Sequence, residues 1–247
     1  MTGEIATNDN TAGAGSGSGS GPGAGEPDAP DQLEFAALLC SRVCHDVISP
    51  VGAIVNGLEV LEEEEDQEMR EHALILIAKS ALQASAKLQF ARLAFGASGS
   101  AGAHIEIADA RRAAEGLMEG GRVTLAWDTK PSALHKTRLK LLMNLIQFAT
   151  GAVPRGGELN IIVENGNEGM VIVATGPRAR IPEHSNLAEG DKFDGLPDSR
   201  AIQPYLIGLL GKQLDASLKV NQEMEEGPVT FAISYGPNAT VDDGMIG

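Results

Sequence analysis

Between residues 33 and 61 the apolar positions Leu33, Ala37, Cys40, Cys44, Val47, Val51, Ile54, Leu58 and Leu61 alternate steps of four and three. That is a heptad seam. Held over four heptads, it commits the segment to a long helix that must bury one face against other helices. The acidic run Glu62 to Asp66 reads as a solvated turn, and a second helix is predicted over 67–95. Its stripe of Leu74, Ile75, Ala78, Ala81, Leu82, Ser85 and Leu88 is broad and partly small, which lets helices approach closely. Two helices cannot cover both stripes alone. The expectation is a homodimer that closes a four-helix bundle, with Cys40, Val47, Ile54 and Leu61 in its core.

Beyond the helices the pattern changes. The segment "GASGSAGA", 96–103, reads as a hinge, and the chain after it reads as mixed α/β. Strands are predicted at 104–107, 122–127, 158–164, 169–174, 216–221 and 228–235, and helices at 108–119, 133–150 and 199–213. Strands interleaved with helices suggest a two-layer sandwich; residues 176–198, with their Gly and Pro, read as a loop. The fold class is therefore α+β, a helical hairpin (32–96) followed by an α/β sandwich (103–237). Residues 1–31 are an acidic Gly/Ser-rich tail without Lys or Arg, whose composition cannot bury enough apolar surface to order itself, and 238–247 form a second flexible tail. The glycine spacings in "GSGSGPGAG" come after no strand and are not a nucleotide fingerprint.

Composition narrows the function. A hydrophobic content of 43% is enough for a real core. A net charge of −15 argues against nucleic acid or an anionic membrane as partner, since either needs basic patches. The N-terminus lacks a basic region followed by an apolar core, so no signal peptide is expected, and no uncharged apolar run reaches the ~18–20 residues of a membrane span. Cys40 and Cys44 stand four apart on one helix, a poor arrangement for a disulfide and too few ligands for zinc. They are expected to be buried, reduced thiols, in keeping with a cytoplasmic protein.

The seam is interrupted by "SRVCHDVISP", residues 41–50. Pro50 in a helix removes the donor that the carbonyl of Asp46 needs, which kinks the helix beside His45. The expected exposed stripe is Leu38, Arg42, His45, Ser49, Gly52 and Asn56. An exposed imidazole on a rigid helix can be an acid, a base, a ligand or a nucleophile, and a surface histidine with no task is the bland alternative. A ligand role is disfavoured because no second His or Cys stands on the exposed face at i±3 or i±4. As a nucleophile the ring needs one free nitrogen, and Asp46 can take the proton from the other. Gly52 is costly inside a helix and would let another protein come close. His72, His104, His135 and His184 are scattered and read as surface or helix-end residues, and Trp127 reads as core.

These residues carry a resemblance. "SRVCHDVISPVGAIVNGLEVL" resembles the phosphoacceptor box of histidine kinases, His-(Glu/Asp)-x-x-(Ser/Thr/Asn)-Pro-(apolar). By that likeness His45 is the phosphoacceptor, Asp46 the assisting acid and Ser49 the small polar residue four after the histidine; Ile48 stands where the kinases often have Arg. The second unit resembles the kinases' ATP-binding domain with its chemistry removed. Asn144 matches the first Asn of the N box, but Phe148 occupies the magnesium-ligand position before Ala149. Thr175, Gly176 and Pro177 fit the next box, but Ala174 replaces its adenine-reading Asp, and "DSRAIQPYLIGLLGKQL" has no Gly-x-Gly-Leu. An intact histidine box with an emptied nucleotide site is similar to the ChpT-type histidine phosphotransferases of alphaproteobacteria.

The resemblance implies a dimeric relay protein. His45 would receive a phosphoryl group from the receiver aspartate of a hybrid histidine kinase and pass it to the receiver aspartates of response regulators. Leu38, Arg42, Gly52 and Asn56 would contact the receivers, with Arg42 supplying local positive charge. No cofactor of its own is implied, because the receiver brings the magnesium. An ATP-dependent kinase and a non-catalytic dimeric scaffold are the rival readings.

Overall fold

The computed structural model describes residues 32–96, 104–192, 197–198 and 200–239. The expected tail at 1–31, residues 240–247 of the expected tail at 238–247, and residues 97–103 of the expected hinge lie outside the described residues. Two long antiparallel helices open the structure, α1 (Gln32–Glu63) and α2 (Gln67–Phe95). The turn between them is held at both ends. Asp66 caps α2 by accepting from the Met69 amide at 3.0 Å. Arg70 reaches back from α2 to the carbonyls of Leu61 and Glu64 and satisfies the C-terminal end of α1. At Gly57 the helices pack closely, since a Cβ there would lie 2.6 Å from Ile77 Cγ1.

The heptad seam does not stay together. Val47, Ile54 and Leu61 are partly covered, whereas Leu33, Ala37, Cys40, Cys44, Val51 and Leu58 face outward. Ile48 (69% exposed) and Val55 join the outward stripe, and Leu74, Ile75 and Leu82 of α2 are exposed as well. The thiols of Cys40 and Cys44, expected to be buried, are free and exposed. The cause is geometric. In a hairpin α2 covers only one side of α1, and the cysteines stand on the other. By length and composition α1 is also apolar enough to cross a membrane, with a mean hydropathy of 1.4 over its most apolar stretch. Its run is not uncharged, however, and Arg42 and Asp46 interrupt it.

The second unit is an α/β sandwich. Its elements are β1 (His104–Glu106), α3 (Ile107–Met118), β2 (Val123–Thr129), β3 (Ala133–His135), α4 (Lys136–Ala149), β4 (Gly157–Val163), β5 (Met170–Thr175), α5 (Ser185–Ala188), α6 (Ile202–Gln213), β6 (Ala216–Gln222) and β7 (Val229–Tyr235). The five-stranded sheet has the order β2-β4-β5-β7-β6, with β2 parallel to β4 and the other pairs antiparallel. A small antiparallel ladder joins β1 to β3. This ladder takes the first residues of the helix expected over 133–150. Ala133 to His135 pair with β1 instead, and His135 becomes the cap of α4 by accepting from the Thr137 amide. The expected loop over 176–198 contains the short helix α5.

Helix α4 is the centre of the molecule. Leu139, Leu142, Met143, Leu145 and Ile146 are fully buried. Against it pack Leu159, Ile161 and Ile172 of the sheet and Phe90 and Ala94 from the end of α2. The last turns of the hairpin therefore belong to the core of the sandwich, which ties the two units together.

Candidate functional site

Pro50 lies inside α1 and is buried, and without its N–H the carbonyl of Asp46 loses its helical donor. The donor is replaced from across the hairpin, where the Lys87 ammonium of α2 donates to that carbonyl at 2.7 Å. His45, one residue earlier, projects outward with its side chain 87% exposed. Its Nδ1 is 3.6 Å from Asp46 Oδ1, too long for a hydrogen bond and close enough for electrostatic pairing.

Of the stripe around the histidine, Ser49 and Asn56 are exposed, and Gly52 meets open space, with nothing within 4 Å of where its Cβ would lie. Leu38 and Arg42 depart from it and are half-buried. The Arg42 guanidinium turns away from the histidine and donates to Gln203 Oε1 of α6 at 2.9 Å. Gln203 in turn donates to Gln147 Oε1 at 2.8 Å and to the Asn144 carbonyl at 3.3 Å. Burial pulls the Arg42 pKa below the usual arginine range, and the nearby Asp46 carboxylate opposes the shift. Nearer the start of α1, Phe35 meets the Tyr205 ring edge-on at 5.9 Å. The first half of α1 thus leans on α6 through two side chains, and the cation that takes the freed Asp46 carbonyl is Lys87.

Beneath this turn, between the hairpin and the sandwich, lies a cavity of about 400 Å³ lined by Asp46, Lys87, Phe90, Arg122, Gln147 and Val153 among others. The positions that match the kinase nucleotide boxes are occupied by packing. Asn144 is fully buried, and its Nδ2 donates to the carbonyls of Ala94 and Lys140, each at 2.9 Å. Phe148 lies edge-on to Phe231 at 6.0 Å between ring centres. Ala174 is fully buried in the sheet, opposite Leu159 and Val229.

The other histidines stand apart from His45. His104 and His135 face each other across the β1–β3 ladder, ring centres 5.9 Å apart. His184 precedes α5 in the left-handed region with φ 60°. Among the described residues no group of three or more His, Cys, Asp and Glu side chains could hold a metal ion.

Sequence reasoning identified the freed Asp46 carbonyl but missed its donor, because Lys87 is 41 residues away. It also missed Gln203. A polar residue within an otherwise apolar helix start was the available signal.

Known proteins are similar to this chain. The family model for the histidine phosphotransferase C-terminal domain matches residues 107–226. The protein phosphotransferase ChpT of Brucella abortus (strain 2308) is 40% identical over 201 residues, which cover 78% of this chain and 93% of the relative. A bacterial phosphotransferase solved at 1.7 Å superposes with a TM-score of 0.74 and 36% identity, over 84% of this chain and 99% of that one.

Proposed function

This chain belongs to the ChpT family of histidine phosphotransferases, and on that footing we propose that His45 carries the phosphoryl group in a multistep relay. The observation that carries the assignment is an imidazole 87% exposed, with Nδ1 near a carboxylate, on the turn of a long helix that Pro50 leaves short of a backbone donor. In the first transfer the Nε2 lone pair attacks the phosphorus of the aspartyl phosphate on a hybrid kinase's receiver. The P–N bond forms as the P–O bond to the receiver aspartate breaks, and the bonding electrons leave with the receiver's carboxylate. Positive charge develops on the ring, and Asp46 balances it at Nδ1. The second transfer reverses these steps onto the aspartate of a response regulator. Catalysis of this kind is mainly positioning and charge stabilisation, and the receiver brings the magnesium.

The working unit is a homodimer in the cytoplasm. Support comes from the open apolar stripes, with Val51 at 44% and Leu58 at 48% exposure on α1 and Leu74, Ile75 and Leu82 on α2. A four-helix bundle formed by two hairpins would cover both. Receivers dock on the stripe at Ser49, Gly52 and Asn56. The sandwich serves as a support for the hairpin and binds no nucleotide. Buried Ala174 and the packed Phe148 favour this over the kinase reading.

The test is phosphoryl acceptance from a phosphorylated receiver. The label should be acid-labile and base-stable, as a phosphoramidate is, and His45→Ala should abolish it while leaving folding and dimerisation intact. Asp46→Asn should slow transfer by roughly 10²-fold, since an amide cannot take the ring proton. If His45→Ala accepts label at the wild-type rate, the relay reading is lost and a non-catalytic scaffold takes its place.

A further inference from the structure

Pro50 leaves a problem that the phosphoacceptor alone does not explain. A helix that loses a backbone hydrogen bond normally gives the orphaned carbonyl to water. Here Pro50 is buried and the carbonyl of Asp46 is given to Lys87. Lys87 is on the other helix of the hairpin, and among the described residues it forms no ion pair with a carboxylate. Lys87 lines the cavity together with Asp46. A positive charge has thus been held on a backbone oxygen one residue from His45, in a chain whose net charge is −15. Arg42, the other cation of this turn, has its guanidinium on Gln203.

From this geometry we infer that Lys87 is a positioning residue for phosphoryl transfer at His45. It pins the turn of α1 that precedes the kink to α2, and so fixes the direction in which the imidazole is presented. It also sets a cation on the residue that balances the ring, near where a dianionic phosphoryl group must arrive. Both effects act through the His45–Asp46 turn, and neither requires Lys87 to touch the partner. The inference rests on His45 being the phosphoacceptor, as proposed above.

The experiment uses the full chain and a phosphorylated receiver, and measures the rate of label transfer as a function of chain concentration. Lys87→Met should lower the maximal transfer rate at least tenfold while the concentration for half-maximal rate stays within twofold. Lys87→Arg, which keeps both donor and charge, should retain at least half of the wild-type rate. Amide hydrogen exchange should quicken in Lys87→Met within residues 45–50 and stay unchanged in α4. Wild-type transfer by Lys87→Met overturns the inference. So does a loss confined to the half-maximal concentration, which would make Lys87 a docking contact. A loss equally deep in Lys87→Arg overturns it as well. His45→Ala is run in parallel: if that variant still takes label, the relay reading fails and this inference goes with it. If only His45→Ala is inactive and Lys87→Met is not, this inference alone is lost.

Discussion

Arg42 on α1 and Gln203 on α6 are joined by a hydrogen bond of 2.9 Å, although 161 residues separate them. The bond links the helix turn before His45 to the sandwich, and Gln203 carries the link on to Gln147 of α4. The two units are therefore joined close to the site as well as at the buried end of α2.

Cutting that link should loosen the hairpin from the sandwich. Gln203→Leu removes the acceptor of a half-buried guanidinium and should destabilise the chain by about 1.5–3 kcal/mol, the range for a hydrogen bond to a charged group. Denaturant unfolding monitored by circular dichroism measures this.

The two glycines of α1 should respond in opposite ways. Gly52 meets open space, so Gly52→Ala should raise stability by about 0.5–1 kcal/mol through helix propensity alone. Gly57 faces Ile77 across the hairpin, so Gly57→Ala should overpack it and lower stability by about 1–2 kcal/mol. Thermal unfolding of the two variants checks the pair. Gly52→Leu should keep the helix and weaken receiver binding, which calorimetry reads.

The open stripe should hold the dimer together. Leu58→Asp places a carboxylate in an interface of apolar side chains, and the loss should reach about 3 kcal/mol, roughly 100-fold in the dissociation constant. Light scattering at micromolar concentration should show the wild type as a dimer and this variant as a monomer.

Calorimetric titration with Mg-ATP should give no binding heat. An affinity in the micromolar range would restore the kinase reading despite Ala174 and Phe148.

Asp198 accepts from the amides of Arg200 and Ala201, both at 2.8 Å, ahead of α6. The bonds from Ala201 and Arg200 hold its carboxyl below the usual carboxylate range. A carboxyl with a depressed folded-state pKa contributes stability above its unfolded pKa and loses it as the pH falls through the folded value. The turn before α6 should therefore stay intact at about pH 5 and loosen only in stronger acid. An NMR titration of the Ala201 amide tracks it, and the Asp198→Ala variant should lack the transition.

Much of this protein is legible in its sequence because the decisive signals are local. The heptad over 33–61 requires a long helix, and α1 runs over Gln32–Glu63. Pro50 removes a donor wherever the helix packs, so the orphaned carbonyl of Asp46 is a consequence of chain connectivity. Alternation of apolar residues located the strands of the sheet to within a few residues, because side-chain direction has a period of two on any strand. Other features depend on which side of a helix another element covers, which periodicity does not specify. The seam residues Val47 and Val51 are alike in the sequence, yet only the tertiary structure turns Val51 outward. Cys40 and Cys44 are exposed for the same reason. The partners of the site also come from distant parts of the chain. Lys87 and Gln203 reach the turn of His45 only because the hairpin closes in one register and α6 docks on α1. A hydrogen bond across 41 or 161 residues leaves no pattern in a single sequence, since it is set by the packing of the elements between them.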